Sequence, residues 1–316
     1  MYKMKGLLLT EGMHGMISQV EGLSKALNLS FKHQTIRLKP FWNLIPPKFT
    51  PISENLIKDK FIFDTKVIIS CGRKSVVPSI AFKKKYKEKI FTIHIQDPKV
   101  KIDNFDLIVC PDHDKIDGKN ILKTIGAIHY ISKTDIDKHS KYLKIDSKNK
   151  KIISFILGGP NKYYSYSEKQ IDFLFNQIKT TFTQDKYKLI VIPSYRTPPE
   201  IIRRAFNTFS DNNLVFKTID KSAYLSSLSL ADQIIVTCDS TSMISEAAIT
   251  GKPIYVAQME PIKNNYRFKN FFNKFKKLGI IKDLEDGIDT WSYNKLDEVN
   301  RIAPIIKERM KLNGIT

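Results

Sequence analysis

Short apolar runs alternate with longer amphipathic stretches along the whole chain, and this alternation limits the fold more than any other feature. Buried strands separated by helices pair in parallel and place the helices on the faces of one sheet. The first half contains the predicted strands Gly6–Thr10, Phe31–Leu38, Lys66–Ser70, Ile90–Ile95 and Asp106–Cys110. The second half contains Lys151–Leu157, Tyr187–Ile192, Leu214–Phe216, Gln233–Thr237 and Pro253–Ala257. We therefore expect an α/β protein.

Helical patterns fill the intervals between these strands. They are predicted at Ile17–Leu27, Pro78–Lys89, Ser167–Thr181, Pro199–Phe209, Ala223–Leu230 and Ser242–Thr250. The polar stretch from Lys133 to Lys151 lacks apolar periodicity and predicts an interdomain linker. A length of 316 residues suits two domains. We predict two doubly wound Rossmann-like domains facing a cleft, residues 1–145 and 146–292, with a C-terminal helix in 293–316 that can cross back to the first domain.

The formal charge of +20 suggests a polyanionic partner, but only eight of the 52 basic residues are arginine. Specific recognition of bases and phosphates favours arginine forks, so we predict no nucleic-acid partner. The three cysteines are far apart and form no CxxC pair, which is typical of a reducing cytoplasm. No stretch approaches the roughly 20 apolar residues that cross a bilayer. We expect a cytoplasmic protein whose membrane contact, at the inner face, is peripheral.

The strongest candidate site lies where a predicted buried strand ends at Thr237 and the chain enters the next helix. Open α/β sheets bind ligands beyond the carboxyl ends of their strands, and the amides at a helix N-terminus attract phosphate. One turn into the helix, Glu246 is placed to accept hydrogen bonds from a ribose diol. The candidate ligand contacts are Asp239, Ser240, Ser242, Met243 and Glu246. The alternative is plain N-capping by the small polar residues of this group.

Two further loops follow strands of the same half. Gly158 and Gly159 permit positive φ and close backbone approach, as a phosphate loop requires, although a Gly-Gly pair equally makes an ordinary turn. Arg196 can pair with a diphosphate or be held in a salt bridge within its loop. The candidates in these loops are Gly158, Gly159, Asn161, Ser194, Arg196 and Thr197.

Candidates for acid–base chemistry lie in the first half. The loop after the first strand contains Gly12, a candidate substrate-binding residue, and His14. His14 can act as a general base, while the alternative is an exposed loop histidine. Asp97 ends a strand and is a second candidate, and His94 on that strand is either functional or a core histidine. His113, between two aspartates, is the third acid–base candidate. This loop can help to hold Mg²⁺ or hydrogen-bond the substrate, but it lacks the spaced ligands of a zinc site, so we predict no structural metal.

Two more features carry positive charge. Arg73 follows Gly72 at a strand end and offers a cation to the predicted cleft. In Tyr266–Leu278, four phenylalanines share one face of a lysine-rich helix, at positions 268, 271, 272 and 275. This helix can lie on an anionic membrane beside a lipid-linked acceptor, or pack its aromatic face on the core.

The segment from Asp239 through Glu246 to Gly251-Lys252-Pro253 resembles the donor site of glycosyltransferase-B enzymes and of non-hydrolysing nucleotide-sugar 2-epimerases. The whole chain resembles the mitochondrial-fission (elongated mitochondria) family, whose bacterial members are labelled nucleoside-diphosphate-sugar epimerases. The matching segments are Cys71–Ser75, His94–Pro98, Phe105–Asp106, Pro111–Asp114, Leu157–Asn161, Arg196–Pro198 and Asp239–Glu246. Tyr195 departs from the pattern, which has a second basic residue beside Arg196.

The resemblance implies a glycosyltransferase-B fold in which residues 146–292 bind a UDP- or GDP-linked sugar and residues 1–145 face the acceptor. The expected function is sugar transfer to a cell-envelope or lipid-linked acceptor. Helix termini and basic side chains can neutralise the leaving nucleotide, so no metal or other cofactor is required. Two alternatives remain: a nucleoside-diphosphate-sugar epimerase, and a non-catalytic membrane-associated adaptor like the plant member of the family.

Overall fold

A computed structural model describes residues 3–58 and 64–315. It contains two compact units: one combines the chain up to Ile131 with the stretch from Asp297 onward, and the other is Ser132–Leu296. Each unit is built on a six-stranded sheet whose paired strands all run parallel. The predicted α/β class is confirmed.

The first sheet consists of β1 (Lys5–Thr10), β2 (Ser30–Thr35), β3 (Val67–Cys71), β4 (Phe91–Ile95), β5 (Leu107–Pro111) and β6 (Ile121–Thr124). Its strand order is β2-β1-β3-β4-β5-β6, with α1 (His14–Ala26) and α2 (Arg73–Tyr86) packed on it. The central strands are apolar on both faces because helices cover the sheet on both sides. The direction of connection reverses at β1, so the crevice expected at this sheet lies at the carboxyl ends of β1 and β3.

The second sheet consists of β7 (Lys151–Leu157), β8 (Tyr187–Pro193), β9 (Leu214–Val215), β10 (Gln233–Thr237), β11 (Ile254–Ala257) and β12 (Ile281–Asp283). Its order is β12-β11-β10-β7-β8-β9. Its helices are α3 (Lys133–Lys138), α4 (Glu168–Thr181), α5 (Pro199–Phe209), α6 (Lys221–Leu230), α7 (Thr241–Ala248) and α8 (Tyr266–Lys277). The connections run outward from β7 through β8 to β9, and the chain then returns to β10, which lies on the other side of β7.

The last helix, α9 (Glu298–Leu312), packs on α1 and β6 within the first unit. The boundary between the units falls between Ile131 and Ser132, earlier than predicted, because α3 packs against α6. The stretch predicted to be a linker therefore contains a helix, whose start is a capping box of Ser132 and Asp135. The helix predicted from Pro78 begins earlier, at Arg73, and carries the proline inside it.

Helix α8 turns its aromatic stripe inward. Phe271, Phe272 and Phe275 are buried, and Phe268 stacks edge-on against Tyr163 at a ring-centroid distance of 5.3 Å. The burial of these three rings supports the core-packing alternative for the aromatic stripe, while the membrane contact predicted for Tyr266–Leu278 stays a prediction. Every helix within the described ranges is too short or too polar to cross a bilayer.

Candidate functional site

Three loops of the second unit meet where its sheet reverses connection, between β7 and β10. Open sheets of this kind bind ligands in the crevice outside the strand ends at that point. Gly158 follows β7 and donates its amide hydrogen to Thr237 Oγ1 at 2.8 Å. Arg196 follows β8, and its Nη2 forms an ion pair with Asp239, which follows β10. The structure thus brings these three predicted loops to one rim.

Asp239 is the residue that ties the loops together. Its side chain is fully buried and accepts hydrogen bonds from Tyr166 Oη at 2.5 Å and Thr237 Oγ1 at 2.6 Å, besides the ion pair with Arg196. Its backbone oxygen accepts a hydrogen bond from Asn161 Nδ2 at 3.0 Å. The carboxylate is thus turned towards donors of its own chain and holds the loops together, and the ligand contact predicted for Asp239 stays a prediction.

The two glycines are required by the close packing of these loops. A Cβ on Gly158 would lie 2.0 Å from Asp239 Oδ1, and one on Gly159 would lie 1.9 Å from the carbonyl oxygen of Arg196. Neither glycine has a positive φ, contrary to the expectation for a phosphate loop. Any larger residue would push the loops apart, so the Gly-Gly pair sets the shape of the rim.

The loop after β8 is held by one hydroxyl and leaves one cation at the surface. Thr197 Oγ1 donates to the carbonyl oxygen of Leu157 at 2.7 Å and accepts the Ser194 amide at 2.8 Å, so Thr197 fixes the loop. The Arg196 side chain is 41% exposed. Within the described residues it donates through Nη2 alone, which leaves Nε and Nη1 for a ligand. Tyr195, at the position of the missing basic residue, is exposed.

Helix α7 starts at this rim with its first amides uncovered. Ser240 is its N-cap, and the Ser240 Oγ accepts a hydrogen bond from the Met243 amide at 3.3 Å. The amides of Thr241 and Ser242 have no acceptor in the described part of the chain. Unpaired donors and the positive end of the helix dipole together make a place for an anion.

Glu246 lies one turn further along α7, and its side chain is buried. Burial raises the pKa of this carboxyl group to about 7, although a hydrogen bond from Tyr224 and the charge of Lys221 act in the opposite direction. The Tyr224 Oη lies 2.9 Å from Glu246 Oε2. Tyr224 on α6 and Tyr166 were missed from the sequence, because no local pattern indicates that two distant tyrosines reach these carboxylates.

The candidates of the first unit also follow strands, but a carboxylate of the chain already accepts an amide at the N-terminus of α2. The Oε1 of Glu11, in the loop after β1, accepts the Lys74 amide at 3.1 Å in the first turn of α2. Arg73 Nη2 donates to the Asn43 carbonyl oxygen at 2.5 Å. Gly12, next to Glu11, has a φ of +84° and donates its amide hydrogen to Thr10 Oγ1 at 3.0 Å.

The predicted acid–base residues differ in exposure. His14 is exposed at the start of α1, with its Nε2 3.3 Å from Tyr130 Oη. Asp97 is half-buried and forms an ion pair with Lys99, whereas His113 is buried. His14, Asp97 and His113 follow β1, β4 and β5, so the strand order spreads them along one edge of the sheet.

His94 belongs to the core. Its Nδ1 lies 2.9 Å from Ser70 Oγ, and burial lowers its pKa to about 3, so the ring stays neutral near pH 7. This confirms the core alternative for His94. Within residues 3–58 and 64–315, no group of three or more His, Cys, Asp or Glu side chains is arranged to hold a metal ion.

Two Rossmann-like units, with loops converging at the switch point of the second, define a protein of the glycosyltransferase-B fold class. Solved structures of this shape include a UDP-GlcNAc 2-epimerase of Neisseria meningitidis bound to UDP-GlcNAc (TM-score 0.56, 12% identity, 98% of this chain and 100% of that one). A glycotransferase of kitacinnamycin is also similar (TM-score 0.54, 12% identity, 99% of this chain and 94% of that one).

Within that class the chain belongs to the family described as Mitochondrial fission ELM1, which matches residues 14–310. It is 25% identical to the Mitochondrial fission protein ELM1 of Arabidopsis thaliana across 78% of this chain, and spans 64% of that relative's length. It is 28% identical to an uncharacterized protein of Rickettsia prowazekii, with 93% of this chain and 95% of the relative covered. The family resemblance noted in the sequence is confirmed.

Proposed function

We propose that the second unit binds a UDP- or GDP-linked sugar at the β7/β10 switch point and that the protein transfers the sugar to a cell-envelope or lipid-linked acceptor. The observation that carries the proposal is a buried carboxyl group, Glu246, one turn behind the unpaired amides of Thr241 and Ser242. A nucleoside diphosphate needs the same arrangement: donors for its phosphates, and an acceptor for its ribose diol about one helical turn away.

Each part of the donor has a matching group at the rim. The diphosphate lies against the first turn of α7, where the Ser242 hydroxyl and the free nitrogens of Arg196 add donors. The ribose hydroxyls donate to Glu246, which Tyr224 holds in place. Gly158, Gly159 and Asn161 shape the rim through the loop after β7, while Met243 is a half-buried residue of the first turn of α7.

The charge at the two switch points favours the second unit as the donor domain. In the first unit the Glu11 carboxylate accepts an amide hydrogen at the start of α2, so a phosphate there would meet a like charge. At α7 the capping residue is the neutral Ser240. An anionic donor therefore fits α7, which leaves the first unit for the acceptor.

Among the predicted bases, His14 is the best placed to deprotonate an acceptor hydroxyl. It is exposed at a helix start, whereas Asp97 is paired with Lys99 and His113 is buried. The ordinary pKa of histidine lies near neutral pH, which suits a general base. Arg73 contributes positive charge on the same sheet edge, although part of its guanidinium is engaged by Asn43.

Calorimetric titration with UDP-GlcNAc and with GDP- and UDP-linked hexoses tests donor binding. We expect Arg196→Gln and Glu246→Gln to weaken binding about tenfold to a hundredfold, as loss of one hydrogen bond to a charged group implies. Arg204→Gln is a matched control for the first, because Arg204 is 37% exposed and ion-paired with Asp172. Glu298→Gln matches the second, since Glu298 is a buried carboxylate in the first turn of α9.

Product analysis then separates the functions that share this site. A transferase needs an acceptor, whereas an epimerase converts the donor to a second sugar without one and exchanges a sugar proton with solvent. The Arabidopsis relative is named for mitochondrial fission, so a non-catalytic adaptor is the second candidate. If none of the nucleotide-sugars gave a heat of binding in the calorimeter, the donor-site proposal would be overturned and the adaptor would be favoured.

A further inference from the structure

Four large exposed apolar side chains of the first unit lie in one short segment between β2 and β3. We define this segment as residues 39–52. Phe41 is 66% exposed, Leu44 82% and Phe49 70%, and Ile52 is exposed as well. Single exposed apolar residues are common on proteins, but four of them within one short segment mark an interaction surface.

Rigid backbone keeps these side chains in solvent. The segment contains four prolines and forms two short 3-10 turns, Pro40–Asn43 and Pro47–Phe49. Arg73 donates to the Asn43 carbonyl oxygen, and buried Thr50 donates through Oγ1 to the Pro46 carbonyl oxygen at 3.0 Å. Because proline fixes φ and these anchors fix the turns, the apolar tips cannot fold back onto the core.

The charge of the segment identifies the surface that it fits. Between residues 37 and 53 the chain carries Arg37, Lys39 and Lys48 and no acidic residue. All three cations are exposed, and Lys48 Nζ lies 5.7 Å from the centre of the Phe49 ring. We infer that segment 39–52 is a docking surface for an anionic lipid bilayer: its aromatic and aliphatic tips enter the interface while the cations stay among the headgroups.

One observation favours a membrane over a second copy of the chain, and another favours this segment over α8 as the docking surface. A symmetric dimer through this segment would bring the three cations of one copy and the three of the other into the same interface, and nothing acidic within the segment would balance them. Phe271, Phe272 and Phe275 of α8 are buried, whereas Phe41, Leu44 and Phe49 are each at least 66% exposed, in a segment that also carries exposed lysines. This inference is independent of the nucleotide-sugar site, because it uses no residue of the second unit.

Vesicle co-sedimentation of the full chain tests the inference, with phosphatidylcholine vesicles that contain or lack 30% phosphatidylserine. We expect Phe41→Ser/Leu44→Ser/Phe49→Ser to lower the partition coefficient by about a hundredfold or more. Phe173→Ser/Leu312→Ser is the matched control, since these side chains are as exposed elsewhere on the protein. It should leave partitioning unchanged.

The charge contribution has its own pair of variants. Lys39→Gln/Lys48→Gln should weaken binding to the anionic vesicles about fivefold per lysine, with little effect on neutral vesicles. Lys269→Gln/Lys277→Gln removes two exposed lysines of α8 and should have no comparable effect. Equal losses for the two pairs would overturn the inference, because binding would then follow total charge.

Trp42 gives a local signal, because it lies in the segment with its ring 5.0 Å from that of Phe41. The chain has one other tryptophan, Trp291 in the second unit. In a Trp291→Phe variant the remaining emission should shift to the blue on anionic vesicles and be quenched by brominated lipid. An unshifted spectrum, or a wild-type dimer that the triple serine variant converts to a monomer without any vesicle binding, would overturn the inference.

Discussion

Binding of a nucleotide-sugar should depend on pH through the single carboxyl group of Glu246. Burial raises its pKa to about 7, so near neutral pH this group is in part protonated. A ribose diol donates hydrogen bonds and therefore prefers the ionised carboxylate. The charged or titratable groups that act on Glu246 are Tyr224, through its hydrogen bond, and Lys221, through its charge. Binding should consequently release a proton.

The size of the effect follows from that pKa. A group with a pKa of about 7 is roughly one-tenth ionised at pH 6 and nine-tenths ionised at pH 8, so affinity should be about tenfold tighter at pH 8. The ligand itself keeps its charge over this interval, because a nucleotide-sugar lacks the terminal phosphate whose second pKa is about 6. Glu246→Gln should bind more weakly at every pH and show no slope from this position.

Stability should change with pH in the opposite direction. The native carboxyl group holds its proton up to about pH 7, whereas in the unfolded chain it loses the proton near 4.5. The native state therefore binds more protons between these values, and the unfolding free energy falls as pH rises through them, by about 3 kcal/mol at most. In Glu246→Gln this part of the slope should be absent.

Calorimetry at pH 6, 7 and 8, in buffers of different ionisation enthalpy, measures both the affinity and the proton released. Urea denaturation over the same pH range measures the stability term. If wild type and Glu246→Gln gave parallel affinity curves, or if binding released no proton, the ribose assignment would be refuted. Glu298→Gln serves again as the control carboxyl group.

Three further predictions concern packing, and urea denaturation measures each. Gly159→Ala should lower the free energy of unfolding by about 3 kcal/mol or more, because its Cβ would lie 1.9 Å from a backbone oxygen. The Cβ of Gly287→Ala would meet no atom within 4 Å, so this variant should lose only about 1 to 2 kcal/mol, for its positive φ. Asp239→Asn should cost about 2 kcal/mol, since it leaves a guanidinium group without its buried ionic partner. Phe275→Ala should lower the free energy of unfolding by about 3 to 5 kcal/mol, and the exposed Phe173→Ala by under about 0.5 kcal/mol. Equal losses within the glycine pair or within the phenylalanine pair, or no loss for Asp239→Asn, would contradict the packing described.

The central strands of both sheets could be predicted from sequence because burial on both faces produces an unbroken apolar run, as in β3 and β10. Edge strands lack that signal. β6 is half-buried over most of its length, and β12 has only three residues, so neither was predicted. Helix α3 was missed for a related reason, since six residues provide too little periodicity.

The rim of the site could be predicted as a set of strand ends but not as a network of contacts. Spacing indicates that Gly158, Arg196 and Asp239 follow strands of one sheet. It does not indicate that Asp239 points inward, because that depends on Tyr166, far from it in the sequence. The orientation of α8 was ambiguous in the same way: an aromatic stripe on a basic helix is compatible with a core or a membrane, and packing decides between them.

The two switch points show that the fold supplies a site while a single side chain decides what it holds. Both have a loop after a strand and a helix N-terminus with amides available for an acceptor. At α2, Glu11 brings a carboxylate of the chain to those amides; at α7, Ser240 offers only a hydroxyl and takes one amide. The positive end of a helix dipole stabilises any negative charge beside it, and at α2 the carboxylate of the chain already occupies that place. For an external diphosphate, the site at α7 is therefore the one that remains free.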